Sequence, residues 1–461
     1  ILGAHSIAIG SAALETQNYG TATSAFNTGV GSNVGASVTT GVQNTLVGAR
    51  AGDALTDADF NVAMGMEALT TDTLGSKSTA IGFQALKTQN FSTATDSFNV
   101  AMGYFAGQAL TTGTENTFVG AQSGDAITSG SQNVAMGVNA LGSETSGTFN
   151  IALGREALKT QNGGTYNIGV GRTAGMLITT GVQNVIMGGN AGDALTDADD
   201  NIAIGFSALT RDTLGSKTVA IGRGVLANQN FTTATDTYNV AVGHLAGTEI
   251  TTGKSNTLVG AEAGDAITTG ENNVCIGYDA DASANSGTNQ LVLGIGITGD
   301  SNVTFTFGTS AGQVHNHFGT DATWTRTSDE RLKKNITDTD LGLSFINDLR
   351  TVKYNWKGHH ELDTSDKQLE HLFKNKDGEN KTEAENEMQT DVTMHGFIAQ
   401  EVKAALDTAG VNDWAGWEED RFGVQRISRE MFVFPLVKAV QELSAQITTL
   451  QSEIEKLKSG G

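Results

Sequence analysis

Few side chains in this 461-residue sequence are spaced for chemistry, and each small group brings one kind of chemistry to mind. His315 and His317 alternate along Gln313-Val-His-Asn-His-Phe318, so on a strand both imidazoles point to one side. In a three-fold assembly that side can be the axis, where six imidazoles could ring a transition metal; satisfied or solvent-facing histidines are the simpler reading, and no other cofactor is expected. The adjacent His359 and His360 make a weaker metal candidate. The Asp of a recurring Gly-Asp-Ala (Asp53, Asp125, Asp193, Asp265) raises calcium, but the dense Asp/Gly spacing of calcium-binding repeats is missing, so turn capping is expected. Cys275 is the only cysteine, which permits no intrachain disulfide, and it reads as a small buried hydrophobe rather than a nucleophile. Thr327-Ser-Asp-Glu-Arg-Leu-Lys-Lys-Asn-Ile336, taken by its residues alone, is a charged helix start with Ser328 as N-cap and Arg331 in the first turn. No P-loop, Ser/His/Asp arrangement or paired-carboxylate motif stands out before it.

The elements that must position these groups fall into two chemically different parts. Residues 1–323 hold 49 of the 58 Gly, with 10 Lys/Arg against 25 Asp/Glu; residues 324–461 hold nine Gly, 18 Lys/Arg and 25 Asp/Glu. One Gly in eight implies many tight turns, and a single Pro excludes a collagen helix. A net charge of −22 opposes binding to nucleic acid and to anionic membrane surfaces. No window of 18 apolar residues is present, so no membrane insertion is expected. The start, Ile-Leu-Gly-Ala, has neither a basic nor an apolar leader region and no Met, which suggests a mature or truncated fragment.

The first part is a repeat. A Gly closes each short apolar run at 10, 31, 48, 65, 82, 103, 120, 137, 154, 171, 188, 205, 222, 243, 260, 277 and 294, every 17 residues except for three steps of 21. Such a period marks rungs that stack on one another, because one rung cannot bury its apolar face alone. Apolar residues one and three before the Gly, with a small residue between, have the period of a strand. Asn stands four before the Gly in most rungs (Asn44, Asn61, Asn133, Asn184), and a stack in register makes an amide ladder of them. At about 4.8 Å per rung the shaft is a rod of about 80 Å. A longer repeat of 140 residues overlies the short one, as Gly-Val-Gln-Asn at 41–44 and again at 181–184. The three long steps carry similar inserts whose aromatics, Tyr19, Phe91 and Phe231, are receptor-contact candidates if exposed, or rings tucked against the next rung.

The Asn-apolar-Ala-apolar-Gly rungs resemble the head repeats of trimeric autotransporter adhesins and the β-structured shafts of phage tail fibres. The segment from Ser328 is more specific. Ser-Asp-x-Arg-x-Lys-x-Asn-Ile, with His395-Gly-Phe-Ile-Ala-Gln-Glu-Val402 downstream, resembles the C-terminal intramolecular chaperone of phage tailspikes and endosialidases, a self-cleaving peptidase domain. That resemblance implies a domain that trimerises the chain, guides folding of the preceding fibre and then cuts itself off. It implies Ser328 as nucleophile, Lys333 as its general base, and cleavage between Thr327 and Ser328, once per chain with no external substrate. Arg331 and Lys334 are near enough to assist or to bind the oxyanion, and His395 would have a supporting role. On a regular helix Ser328 and Lys333 lie about 140° apart, so the pair needs an irregular turn or a partner chain, which would tie cutting to assembly.

From Val433 the chain follows a heptad, with Val433, Val440, Ile447 and Ile454 at a and Leu436, Leu443, Leu450 and Leu457 at d. This pattern nominally favours two strands; the resemblance and the fibre-like shaft point to three. The expected fold is a mainly β shaft over 1–298 (a β-solenoid or β-roll, or an interwoven triple β-helix), a β-stranded neck over 299–327, and an α+β chaperone domain over 328–461 ending in a trimeric coiled coil at 433–458. The expected function is a homotrimeric phage tail fibre or tailspike, made in the host cytoplasm, carried on the virion and extracellular after release. Its partners would be a glycan or protein receptor on the host surface and other tail proteins on its N-terminal side. A bacterial surface adhesin and a polysaccharide-degrading tailspike are the alternatives; the first needs a membrane anchor, the second a carboxylate pair across a groove.

Overall fold

The computed structural model describes residues 3–317, 325–326, 330–375, 378–385 and 390–460. By its internal contacts the chain divides into Ile1–Ser328 and Asp329–Gly461. The first unit is a single-chain β-solenoid of about 18 turns with rungs of about 17 residues. Each rung contributes one three-residue strand, paired in parallel and in register with the rungs before and after it, as in Thr45–Val47, Val62–Met64 and Thr79–Ile81. After Leu291–Ile295 the ladder adds Thr304–Thr309, then turns antiparallel into Gly312–His317 and Thr325–Arg326.

The interior explains the repeat. After the exposed first rung, the middle residue of each three-residue strand faces inward and is buried (Leu46, Ala63, Ala80, Phe118), while its apolar neighbours face out. Two kinds of rung alternate to fill the space. Where Leu stands four after the marker Gly, as at Leu69, Leu141 and Leu209, the residue seven after it is buried and polar: Asp72, Glu144, Asp212. Where Gly stands there instead, the seventh residue is Val, Leu or Ile, as Val38, Leu55 and Ile127, and fills the void. A Cβ on Gly52 would come within 2.8 Å of Leu55 Cδ1, and one on Gly124 within 2.5 Å of Phe118 Cε1. The marker Gly has a different constraint. At Gly65 the backbone has φ 139°, and a Cβ would lie 2.3 Å from the carbonyl oxygen of Gly82 directly beside it, so any side chain would push the rungs apart.

The asparagine ladder is present and fully buried. Each Asn accepts on Oδ1 from the backbone N–H of the Asn one rung on, 2.9 Å for Asn44 to Asn61, and donates from Nδ2 to a turn carbonyl, 2.8 Å for Asn44 to Ala58. A buried amide is thereby used on both ends. Serine and threonine interrupt the ladder at Ser78 and Thr218, just ahead of the second and third inserts. There Gln89 and Gln229 take over, each donating to the buried carboxylate of Asp72 or Asp212 at 2.6 Å and accepting from the next Asn of the ladder at 2.9 and 2.8 Å.

The second unit is a small α+β fold. Two antiparallel ribbons, Val352–Tyr354 with Met394–Gly396 and Trp417–Glu419 with Gln425–Ile427, accompany helices Leu343–Asp348, Ala399–Thr408 and Val433–Ser459. Its core is Leu341, Phe345, Val402, Leu406 and Phe432, with the Phe397 ring stacked on Phe432 at 4.8 Å.

Candidate functional site

The C-terminal unit is built around the downstream motif. His395-Gly396 ends a ribbon strand, Phe397 packs on Phe432, and Ile398 caps the helix from Ala399, its carbonyl accepting from Glu401 and Val402. Val402 is buried in the core, while Glu401 pairs with the Arg350 guanidinium, which holds the Glu401 carboxyl below its ordinary range. The motif is thus a strand-to-helix joint whose apolar members are structural and whose polar members line a surface. That surface is a cleft of about 690 Å³ with Arg350, Tyr354, Trp356, Gln400 and Arg429 on its walls. His395 lies opposite Lys353 in the ribbon and opens on an adjoining hollow with Arg429. It is exposed.

The upstream motif is placed differently. Glu330–Leu332 forms one 3₁₀ turn, closed by the Lys333 N–H on the Glu330 carbonyl at 2.9 Å. Every residue from 330 to 340 is exposed, including Arg331, Lys333, Lys334 and the apolar Leu332 and Ile336. Thr327 and Ser328 lie outside the described residues, so the expected dyad has one placed member.

Residues 328–411 match the chaperone of endosialidase family, peptidase S74. The matched stretch holds both motifs and stops at Val411, before the long helix. No curated protein and no solved structure matches the chain significantly. The chain therefore carries a chaperone-of-endosialidase domain behind a β-solenoid shaft, and that family implies autoproteolytic intramolecular chaperone activity.

The helix following the chaperone match has two apolar faces. Pro435 and Ala439 are buried, and the Glu442 carboxylate accepts from the Leu343 N–H at 2.7 Å, so this side seats the helix on its own domain. The other side carries the heptad, and Val440, Ile447 and Leu450 on it are 63%, 54% and 56% exposed.

Elsewhere the candidates fare unevenly. Tyr19, Phe91 and Phe231 are only 4–6% exposed, and the Tyr19 hydroxyl donates to the Gly41 carbonyl at 2.6 Å. Their rings close the inserts from inside, so they offer a receptor no surface on this chain. The exposed insert aromatics are Phe26, Phe98 and Tyr238, near the end of each insert. The signal that separates them is register: they precede the ladder Asn by one residue, where the rung turns outward. His315 sits opposite Thr306 in the neck hairpin, its Nε2 3.8 Å from Asp300 Oδ1, and His317 sits opposite Thr304. His359 lies in a 3₁₀ turn beside the Lys381 ammonium. Asp53 and Asp193 accept from the hydroxyls of Thr70 and Thr210 one rung on, as turn-stabilising carboxylates do. Among the described residues the one group of three ligating side chains within reach of a single ion is Asp265, Asp279 and Asp281. Burial and the two neighbouring carboxylates push Asp281 up to about 6. Cys275 is buried, and its thiol is pushed up to about 12 by that burial, as expected of an unreactive core residue.

Proposed function

We propose that the chain is the distal part of a homotrimeric phage tail fibre or tailspike, a host-attachment shaft over 1–298 and neck over 299–327, assembled by a C-terminal chaperone that then removes itself. The observation that carries this reading is the chaperone-of-endosialidase match placed directly behind a solenoid of about 18 turns. Two apolar stripes support self-association. On the shaft, Met64, Met102, Met136, Met187 and Leu293 stand exposed in one outward column one residue before the marker Gly, with half-buried Ile81, Val119 and Leu153 between them, an apolar stripe of a kind that marks an interaction surface. A partner with the same repeat has the matching length. On the tip, the exposed heptad seam is the second stripe, and a coiled coil over 433–458 closes it.

In the self-cleavage, the Ser328 Oγ attacks the Thr327 carbonyl as Lys333 takes the hydroxyl proton, and the peptide bond opens to an ester with the Ser328 amine released. Water then hydrolyses the ester. A lysine serves as base only where burial or a neighbouring cation has displaced its own proton. Lys333 lies in an exposed segment of the single chain, so assembly must enclose it, and cutting follows trimerisation. Arg331 and Lys334 neutralise the oxyanion, and His395 has a supporting place. Removal of the chaperone leaves the fibre kinetically trapped, because the folding aid is absent from any return path. The shaft then joins other tail proteins at its N-terminal side on the virion.

Intact mass under denaturing conditions tests the reading on freshly made protein beside Ser328→Ala and Lys333→Ala. The expected result is two fragments meeting at Thr327–Ser328 in the parent and one uncut chain in each variant. A single uncut species in all three removes the catalytic assignment.

A further inference from the structure

The inserts are the places where the repeat departs from itself, and each brings an aromatic ring to the outside. Phe26, Phe98 and Tyr238 are 52%, 51% and 56% exposed. Every rung turns through a left-handed residue at this position, filled elsewhere by Gln43, Gln132 or Asn272 and in three ordinary rungs by Phe60, Phe149 or Tyr166, so the turn itself does not demand an aromatic, and what sets the inserts apart is the company of the ring. At two inserts the ring has the same company. Lys77 Nζ stands 2.5 Å from Asp96 Oδ2 and 5.2 Å from the Phe98 ring centre. One long repeat later, Lys217 Nζ stands 2.5 Å from Asp236 Oδ2 and 5.6 Å from the Tyr238 ring centre, and the Tyr238 hydroxyl donates to Asp236 at 3.0 Å. The first insert has His5 stacked on Phe26 at 5.1 Å, with Ser24 in place of the Asp. Outside the inserts, the exposed rings of Phe149 and Tyr166 stack on each other at 4.8 Å.

These loops are fixed from below. Asp72 accepts from the N–H groups of Gly75 and Phe91, and Asp212 from those of Gly215 and Phe231, at 3.0–3.2 Å. With the Phe91 and Phe231 rings buried over them, the loop backbone is set before any ligand arrives, which lowers the ordering cost of binding.

We propose that the second and third inserts form a pair of equivalent saccharide subsites, each taking a neutral pyranose. The ring of Phe98 or Tyr238 stacks on the C–H face of the sugar, the Asp carboxylate accepts from adjacent hydroxyls, and the Lys ammonium donates to one. Lys and Asp cancel in charge, and a chain of net charge −22 repels acidic sugars. Eight rungs separate the subsites, about 38 Å at a roughly 4.8 Å spacing, so a polymer of repeating units can occupy both and gain from the second contact. This rests on the host-attachment reading and gives its receptor a chemical class.

Saturation-transfer NMR on the full chain, with glucose-, galactose- and N-acetylglucosamine-terminated trisaccharides at millimolar concentration as probes, tests it. For at least one probe, transfer to pyranose C–H protons is expected, falling about twofold in Phe98→Ala or Tyr238→Ala and to baseline in the double variant, with Phe98→Tyr retaining it. Three results overturn the proposal: no transfer to any probe, transfer that survives the double variant, or a double variant that loses transfer because its assembly mass by light scattering has changed. The last assigns the rings to a contact between copies. Denatured mass on the same samples separates the two readings: a processed chain that binds no saccharide removes the subsites alone, and an unprocessed chain removes the self-cleaving fibre.

Discussion

The shaft and the tip settle their polar and apolar groups in opposite ways. In the solenoid the polar interior is finished by one chain: every ladder Asn is buried and bonded, and even Asp72, Glu144 and Asp212 are surrounded by backbone N–H donors. What is left over on its outside is apolar: the Met and Leu column and rings such as Phe98, Tyr166 and Tyr238. In the C-terminal unit a small aromatic core is complete, yet the described part of the family's first motif, residues 330–336, and the heptad seam lie in the open. The lesson concerns order. A rung carries enough information to stack on the next, whereas the C-terminal unit leaves its heptad seam exposed in the single chain; on the proposed reading, that seam is completed when copies meet.

The largest test of this contrast is to damage the seam. Ile447→Lys with Leu450→Lys places charges on side chains already exposed in the single chain, so the domain keeps its fold while the coiled coil fails. The expected outcome is loss of the assembled mass in light scattering and loss of cleavage with it; a variant that still cuts as a single chain breaks the link between trimerisation and chemistry. Next in size is the shaft core. Phe118→Ala empties the largest buried site and should cost about 3–5 kcal/mol, read as a lower denaturation midpoint of the shaft with processing at Thr327–Ser328 unchanged. A smaller effect, about 1–3 kcal/mol, is expected for Asp212→Asn, which turns one acceptor of the Gln229 amide into a competing donor. Its signature is local: faster hydrogen exchange at Gly215 and Phe231, whose N–H groups the carboxylate holds.

How much of this was legible in the sequence depends on whether a pattern had a period. The 17-residue spacing gave the rungs, the strands and the Asn ladder directly, because identical residues in register must meet. The reciprocal choice of Leu69 with Asp72 against Gly52 with Leu55 was equally periodic, but each pair looks like ordinary turn chemistry until side chains are seen competing for one volume. The inserts were ambiguous for the opposite reason. Tyr19, Phe91 and Phe231 could be read as receptor contacts or as rings tucked against the next rung; they are tucked in, and the outward ring is the residue before the ladder Asn, Phe26, Phe98 or Tyr238, the position that faces out in ordinary rungs as well. For the candidate site, the motifs at 328–336 and 395–402 were readable as a family resemblance. The downstream one proved to be a strand-to-helix joint, a role that its residues alone do not declare.

The smallest expected effect sits at the end of the shaft, where the self-sufficiency of the rungs gives out. Asp281 lies beside Asp265 and Asp279, and its carboxyl is raised from an ordinary value of 3.8 to about 6, first by burial and then by the Asp265 charge. Burial raises Asp265 as well, in the same direction. The folded chain therefore holds a proton that the unfolded chain has already released between those two values. The contribution of this group to stability is full below the lower value, declines as pH rises from about 4 to about 6, and stays low above that window. Asp281→Asn removes the titration while keeping the side chain's shape. The difference in denaturation midpoint between variant and parent should accordingly grow in favour of the variant across this window and be flat above it. Parallel curves would mean that the three carboxylates are relieved in the assembled shaft, by solvent or by a neighbouring copy, and the contrast between complete rungs and an incomplete end would have to be withdrawn.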